Sequence, residues 1–315
     1  MRAVHLLLAV IPCLRATAAF ITSGGSWSSR RTSNGRVGIV LPGVASSSSP
    51  GTILHSVLEP GDTILVIGGT GGVGQLVTKK LQSRGLFSVR VSSRNKKRGE
   101  ETIADSSVDV VELDLVGGSN ADLEAAMEGV SGVVVATGTT AFPTLKWKNG
   151  NTPEAIDKLA VSRIAEAAAK GGSAKKVVLL TSIGVDRTKQ MPFLVLNLFG
   201  VLDAKKSGED AVKKAASRAG FDYAIIRPGR LIGGPFTNLD VAKLLQIEGG
   251  AENGVDIEAG DSLIGDCKRD ACAEAVVQCL LNEDCKIVDF AIISNENKAL
   301  TDPEWTKTFQ QMGKR

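Results

Sequence analysis

Residues 63–74, TILVIGGTGGVG, run five aliphatic or β-branched residues straight into a cluster of glycines. Such a run reads as a short buried strand that ends in a tight turn. Gly68, Gly71 and Gly74 leave room for a pyrophosphate to approach backbone, and residues 73–84 have the spacing of an amphipathic helix whose N-terminus would face the phosphates. A second strand over 87–92 closes the unit. Glycine makes up 35 of 315 residues, so the spacing alone carries little; the strand before it and the helix after it give the motif its meaning. An ordinary strand-to-helix turn is the plain alternative.

The end of the second strand selects between nucleotides. An NAD site places a carboxylate about 20 residues beyond the glycines to hold the ribose hydroxyls. Here the chain has Ser93 and Arg94, then Lys96, Lys97 and Arg98. Cations at this place suit the 2′-phosphate of NADP, which is favoured over NAD. A solvated basic turn is the competing reading.

The first 58 residues contain no Asp or Glu. Arg2, an apolar run over 4–14 and small residues over 16–19 have the order of a signal peptide, assigned to 1–19. The Ser/Thr/Arg-rich stretch that follows has transit-peptide composition, so 20–58 is read as a transit-like leader and 59–315 as the folded domain. The apolar run is too short to span a bilayer, so no transmembrane segment is expected in the mature protein.

Both histidines, His5 and His55, precede the domain. Histidine general-base chemistry and histidine-ligated metal are therefore excluded for it, and no metal site is expected. Five of the 37 cations also fall in the leader, leaving 32 against 34 acids, a net of about −2 that does not suit a nucleic-acid binder. Cys267, Cys272, Cys279 and Cys285 form no CxxC pair and read as buried small residues, not a zinc site.

Strands read at Thr63–Ile67, 87–92, 109–113, 132–136, 176–181, 222–226 and 287–293, with helical stretches between them. This alternation predicts an α/β fold, a Rossmann-type doubly wound parallel sheet, with a small C-terminal substrate lobe over about 230–315. In such a sheet ligands sit beyond the carboxyl ends of the strands. The residues there are Asp114 and Leu115, Thr137 and Gly138, Thr181 and Ser182, and Arg227, Pro228 and Gly229.

Several landmarks stand in order: VIGGTGGVG (66–74), ELDL (112–115), PEAID (153–157), VVLLTSIG (177–184), DYAIIRPGRL (222–231) and GDCKRDACAEAVVQCLL (265–281). With them the chain resembles the atypical, NAD(P)-binding branch of the short-chain dehydrogenase/reductase superfamily, the isoflavone-reductase-like, NmrA-like and plastid Tic62-like group, over roughly 63–295. The resemblance implies an NADP site on Gly68, Thr70, Gly71, Gly72, Val73 and Gly74, with Arg94 and Lys97 at the 2′-phosphate and Asp114 and Leu115 at the adenine. Thr137, Gly138, Pro228 and Lys205 would complete it, Lys205 at the nicotinamide ribose. Ser182 would meet the substrate carbonyl, which makes Ser182 and Lys205 the candidate catalytic pair.

One departure decides the chemistry. The superfamily's reductases use Tyr with Lys four residues later, yet the chain's one tyrosine, Tyr223, lies on a predicted strand with Arg227 four residues on. Aligning Lys205 with the family lysine puts Val201 where the tyrosine belongs, and valine can neither donate a proton nor stabilise an oxyanion. The expected activity is hydride transfer to a quinone-like or other conjugated small molecule that needs no enzyme proton donor. The alternative is a non-catalytic NADP-binding scaffold or redox-sensing assembly factor, with a plastid protein as partner. Alternatively, Lys205 and Lys206 form a solvated helix face.

The segment 191–202, MPFLVLNLFGVL, reads as core packing of a long helix, with a pocket wall or docking face as alternatives. Trp147 reads as a pocket lid or surface anchor. In the tail, Trp305 and Phe309 share a helix face that would cap the core or meet another subunit. The two-part leader resembles those of algae with secondary plastids, which implies a plastid address.

Overall fold

The computed structural model describes residues 57–234 and 253–313. All but the last two positions of the expected leader lie outside the described residues. β1 (Thr63–Ile67), α1 (Gly72–Arg84), β2 (Ser88–Ser93), α2 (Lys96–Ile103), β3 (Asp109–Glu112), α3 (Asn120–Ala126) and β4 (Val130–Val135) form the first half. A π-helical stretch, Glu154–Ala160, runs into α4 (Val161–Gly171), followed by β5 (Lys176–Leu180), α5 (Phe193–Leu196), α6 (Val201–Ala219) and β6 (Asp222–Pro228). Then come β7 (Arg230–Ile232), β8 (Asn253–Ala259), β9 (Asp266–Lys268), α7 (Arg269–Leu281), β10 (Val288–Lys298) and α8 (Asp302–Met312).

Among the described residues the main sheet has the order β3-β2-β1-β4-β5-β6-β10-β8, parallel throughout except for β8, which pairs antiparallel with β10. The order reverses between β1 and β4, and that switch point opens a crevice at the carboxyl ends of the strands. β7 and β9 make a separate two-stranded sheet, while β8, β10, α7 and α8 are built into the main layers. No described helix is long and apolar enough to cross a membrane.

The core follows from alternation along each strand. Ile64 and Val66 of β1 join the cluster that includes Val77 and Leu81 of α1, Val276 of α7, and Trp305 and Phe309 of α8. Leu65 and Ile67 point the other way, into a cluster with Leu123 of α3, Ile164 of α4 and Val212 of α6. Strands buried on both faces therefore read as continuous apolar runs, which is why their positions were legible. The tail helix caps the core, with Trp305 and Phe309 at 2% and 0% exposure. The four described cysteines are free and fully buried, packing as small apolar residues.

Two expectations fail. The segment 191–202 is not the core of a long helix: α5 is four residues long and buries only Phe193, while Met191, Leu194, Val195, Leu198 and Phe199 are exposed. Nor do Lys205 and Lys206 form a solvated face. Lys205 is buried against Asp157, and Lys206 reaches Asp186 at 2.7 Å.

A closed set of charges ties the carboxyl ends of β5 and β6 to α6. Arg227, 1% exposed, donates from Nε to Glu209 Oε1 at 3.0 Å and from a terminal nitrogen to Glu209 Oε2 at 2.6 Å. It also reaches Asp289 at 3.2 Å and Asp186 at 3.2 Å, and Lys213 pairs with Asp289. Glu209 in turn accepts from Thr181 Oγ1 at 2.7 Å. Removing one partner strands a buried charge, so Glu209→Ala is expected to cost about 3–5 kcal/mol in urea unfolding. Acid will act through the same network. Burial pushes Asp289 up, but the Lys213 and Arg227 cations outweigh it and hold the carboxyl below its usual range. A carboxylate depressed in the folded state stabilises the fold above its unfolded pKa. That stability is lost on acidification, so the urea midpoint should be level near neutrality and fall below about pH 4.

Candidate functional site

The glycine turn is built as the motif requires. Gly68 takes φ +82°, a left-handed conformation that favours glycine, and its carbonyl accepts from Gly71 N at 2.9 Å. A Cβ at Gly74 would stand 2.2 Å from Gly68 O, so only hydrogen fits where α1 meets the turn. Gly71 occupies the N-cap with φ −80° and no side-chain cap, which leaves the first-turn amides of Gly72, Val73 and Gly74 for an external acceptor. Gln75 steadies the turn by donating to Thr70 O at 2.8 Å.

Arg94 follows β2 directly and is exposed, as are Lys96, Lys97 and Arg98 at the start of α2. Asn95 caps that helix by accepting from Arg98 N at 2.8 Å. Asp114 is exposed beyond β3, its Oδ1 accepting from Val116 N at 3.0 Å, and Leu115 beside it is half-buried. Pro228 is buried at the end of β6, where its carbonyl accepts from Ile183 N at 3.1 Å. The structure thus brings all these positions to the carboxyl ends of the parallel strands.

Beyond β4 lies the part that sequence reasoning reached only in pieces. Lys205 Nζ, from α6, donates to Asp157 Oδ1 at 2.6 Å, both side chains being nearly inaccessible. Asp157 Oδ2 accepts from Thr139 N at 3.1 Å and from the Thr139 hydroxyl. A Cβ at Gly138 would lie 3.0 Å from Lys205 Nζ and 3.4 Å from Asp157 Oδ1, so the ion pair presses against a bare backbone position. Asp157 was not among the expected site residues. It lies in PEAID, where Glu154 and Lys158 stand close by, so nothing local marked it as the buried carboxylate. The π-helical stretch that carries it is a form often found at functional sites.

Ser182 lies beyond β5, half-buried, and its hydroxyl donates to Ile183 O at 2.9 Å. Its expected catalytic partner, Lys205, is engaged by Asp157. Val201 is 3% exposed in an apolar cluster with Ile183, Val185 and Phe193. Tyr223 sits at the amino end of β6, paired with Val177, at the opposite edge of the sheet from Pro228. Trp147 donates from Nε1 to Thr140 Oγ1 at 3.1 Å and meets Phe199 edge-on, anchoring the loop after β4.

The residues present fit a dinucleotide. Thr137 Oγ1, buried beside the turn, has no hydrogen-bond partner, an orphaned hydroxyl of the kind a bound polar ligand satisfies. The glycine turn leaves amides free at a helix N-terminus, and cations crowd the end of β2.

Comparisons with known proteins agree with this geometry. A family model described as NAD(P)H-binding matches residues 68–283. An uncharacterized chloroplastic protein of Arabidopsis thaliana is 30% identical over 230 residues, 70% of this chain and 72% of that protein. The chloroplastic protein TIC 62 of Oryza sativa subsp. japonica is 24% identical over 269 residues, covering 74% of this chain but 52% of the rice protein, so the chain spans about half of that relative. A solved short-chain dehydrogenase/reductase of Veillonella parvula, in complex with NADP, shares the fold with a TM-score of 0.55 over 76% of this chain and 97% of that one, at 14% identity.

The turn yields a test of the cradle. At φ −80°, Gly71 tolerates a side chain in its backbone, and a Cβ would meet only Gly68 O at 3.1 Å. Gly71→Val is expected to fold yet to lose NADPH binding in isothermal titration calorimetry; unchanged affinity would remove the phosphates from this turn.

Proposed function

The chain belongs to the NAD(P)H-binding family, and on that premise we propose that it is an NADP(H)-dependent oxidoreductase of the atypical short-chain class, acting in a plastid on a quinone-like or other conjugated small molecule. The observation that carries this reading is the pairing of an apolar Val201, where the superfamily places its proton donor, with a Lys205 ammonium already held by Asp157. The chloroplastic names of the relatives support the plastid location, and the two-part leader read from the sequence supports the same address.

The amides of Gly72, Val73 and Gly74 bind the pyrophosphate, assisted by the helix dipole. Arg94 and Lys97 hold the 2′-phosphate by charge, and Asp114 with Leu115 takes the adenine. Thr137 and Gly138 shape the floor beneath the second nucleotide, where Lys205, fixed in place by Asp157, binds the ribose. When bound, NADPH supplies the hydride. Ser182 orients the acceptor's carbonyl oxygen. Val201 supplies no proton, so the acceptor must be one that delocalises the incoming electron pair over its ring and takes its proton from solvent. The chain then acts by positioning, which can supply a large part of the barrier reduction.

The same ion pair supports a second reading: a nucleotide-binding scaffold in which no residue completes a reaction. The two readings separate on one experiment. NADPH absorbance is followed with a panel of quinones and flavins, and acceptor-dependent decay is expected, whereas tight binding without decay favours the scaffold. Arg94→Asp should lower NADPH affinity relative to NADH by about tenfold or more, the scale of one charge-assisted contact. Ser182→Ala should slow turnover while leaving NADPH affinity unchanged.

A further inference from the structure

Two stretches without a single Asp or Glu, residues 139–151 (TTAFPTLKWKNGN) and 187–202 (RTKQMPFLVLNLFGVL), meet on one surface. Phe199 of the second receives Phe142 and Trp147 of the first edge-on, at centroid distances of 6.1 and 6.3 Å. Beneath them Ala141 packs on the buried cluster around Phe193 and Val201. On the same two stretches Phe142, Leu145, Met191, Leu194, Val195, Leu198 and Phe199 are exposed, Leu145 at 78% and Leu198 at 70%. They are seven of the eleven large apolar side chains exposed among the described residues, so the surface is a concentration and not a scatter.

The surface is held stiffly. Asp261 accepts from Gly184 N at 2.7 Å, Asp186 N at 2.9 Å and Arg187 at 2.9 Å, and the Arg187 guanidinium lies 4.5 Å from the centre of the Phe193 ring. Its margin carries more free cations than anions. Lys148 and Lys189 are exposed at its margin. Of the flanking acids, Asp186 is engaged by Lys206 and Arg227, while Asp203, exposed and accepting only from the neutral amide of Asn197, keeps its charge, so exposed lysines outnumber unpaired carboxylates two to one.

We propose that this face docks on an anionic lipid bilayer. Single aliphatic side chains standing 70–78% free suit insertion between lipids better than the flat, pocketed contact of a protein interface. The exposed lysines suit anionic headgroups, and the half-buried Trp147 has the amphipathic character of an interfacial anchor. The inference stands apart from the catalytic reading, since it requires neither nucleotide nor turnover.

The test is flotation of the full chain with vesicles of phosphatidylcholine and phosphatidylglycerol at 7:3, and with phosphatidylcholine alone. The apolar run near residue 4 is common to every variant, so the readout is the difference between variants. Leu194→Glu with Leu198→Glu should lower partition into the mixed vesicles about tenfold or more. Leu86→Glu, 41% exposed outside the face, should leave it unchanged. Lys148→Glu with Lys189→Glu should weaken binding to mixed vesicles alone, as should added salt. Wild-type partition by the leucine double variant would overturn the proposal. So would partition indifferent to phosphatidylglycerol and salt. Loss of a concentration-dependent dimer in lipid-free solution, with vesicle binding intact, would assign the face to a second copy instead.

Discussion

The whole carboxyl edge of the sheet depends on how closely α1 approaches the turn before it. A Cβ at Gly74 would fall 2.2 Å from Gly68 O, and one at Gly69 would fall 2.5 Å from Val91 Cγ1. One turn therefore locks β1, α1 and β2 at distances that no larger residue permits. A Cβ at Gly68 would likewise meet Thr137 Cγ2 at 2.8 Å, which draws the end of β4 into the same contact. The free amides of α1 and the orphaned Thr137 hydroxyl consequently lie on either side of the switch point, and the candidate dinucleotide site is a by-product of packing as much as of chemistry.

Much of this was legible in the chain. Apolar runs located the central strands because those strands are buried on both faces, and the glycine spacing located the turn because each glycine answers a steric demand. β8 was missed although Val255 and Ile257 alternate with Asp256 and Glu258; it is an antiparallel edge strand that stands outside the strand–helix alternation by which the other strands were read. The ribbon of β7 and β9 was missed because three residues give no period to read.

What the sequence hid most fully was pairing. Nothing local to Lys205 or Lys206 separates a buried ammonium from a solvated one; the difference lies in Asp157 and Asp186, 48 residues and 20 residues away along the chain. The apolar stretch 191–202 misled for the converse reason. Its composition is that of a core, but α5 lasts one turn and only Phe193, Val201 and Leu202 of the stretch are buried, while Met191, Leu194, Val195, Leu198 and Phe199 stand exposed. Pattern reports what a segment can bury, while topology decides whether anything arrives to cover it.

The buried charges around Arg227 have a consequence for how the chain can change over generations. Arg227 on β6, Glu209 on α6 and Asp289 on β10 share one charge balance and lie 18 and 62 residues from the arginine. Loss of Glu209 or of Arg227 alone leaves a buried opposite charge without its main partner, whereas Asp289 is partly exposed and its loss leaves Arg227 held by Glu209 and Asp186; an apolar exchange of both members of the Arg227–Glu209 pair can be nearly neutral. Drift at Arg227 and Glu209 must therefore pass through the couple. The pair thereby acts as a heritable memory of its own arrangement, written across two distant segments and revised only by concerted substitution.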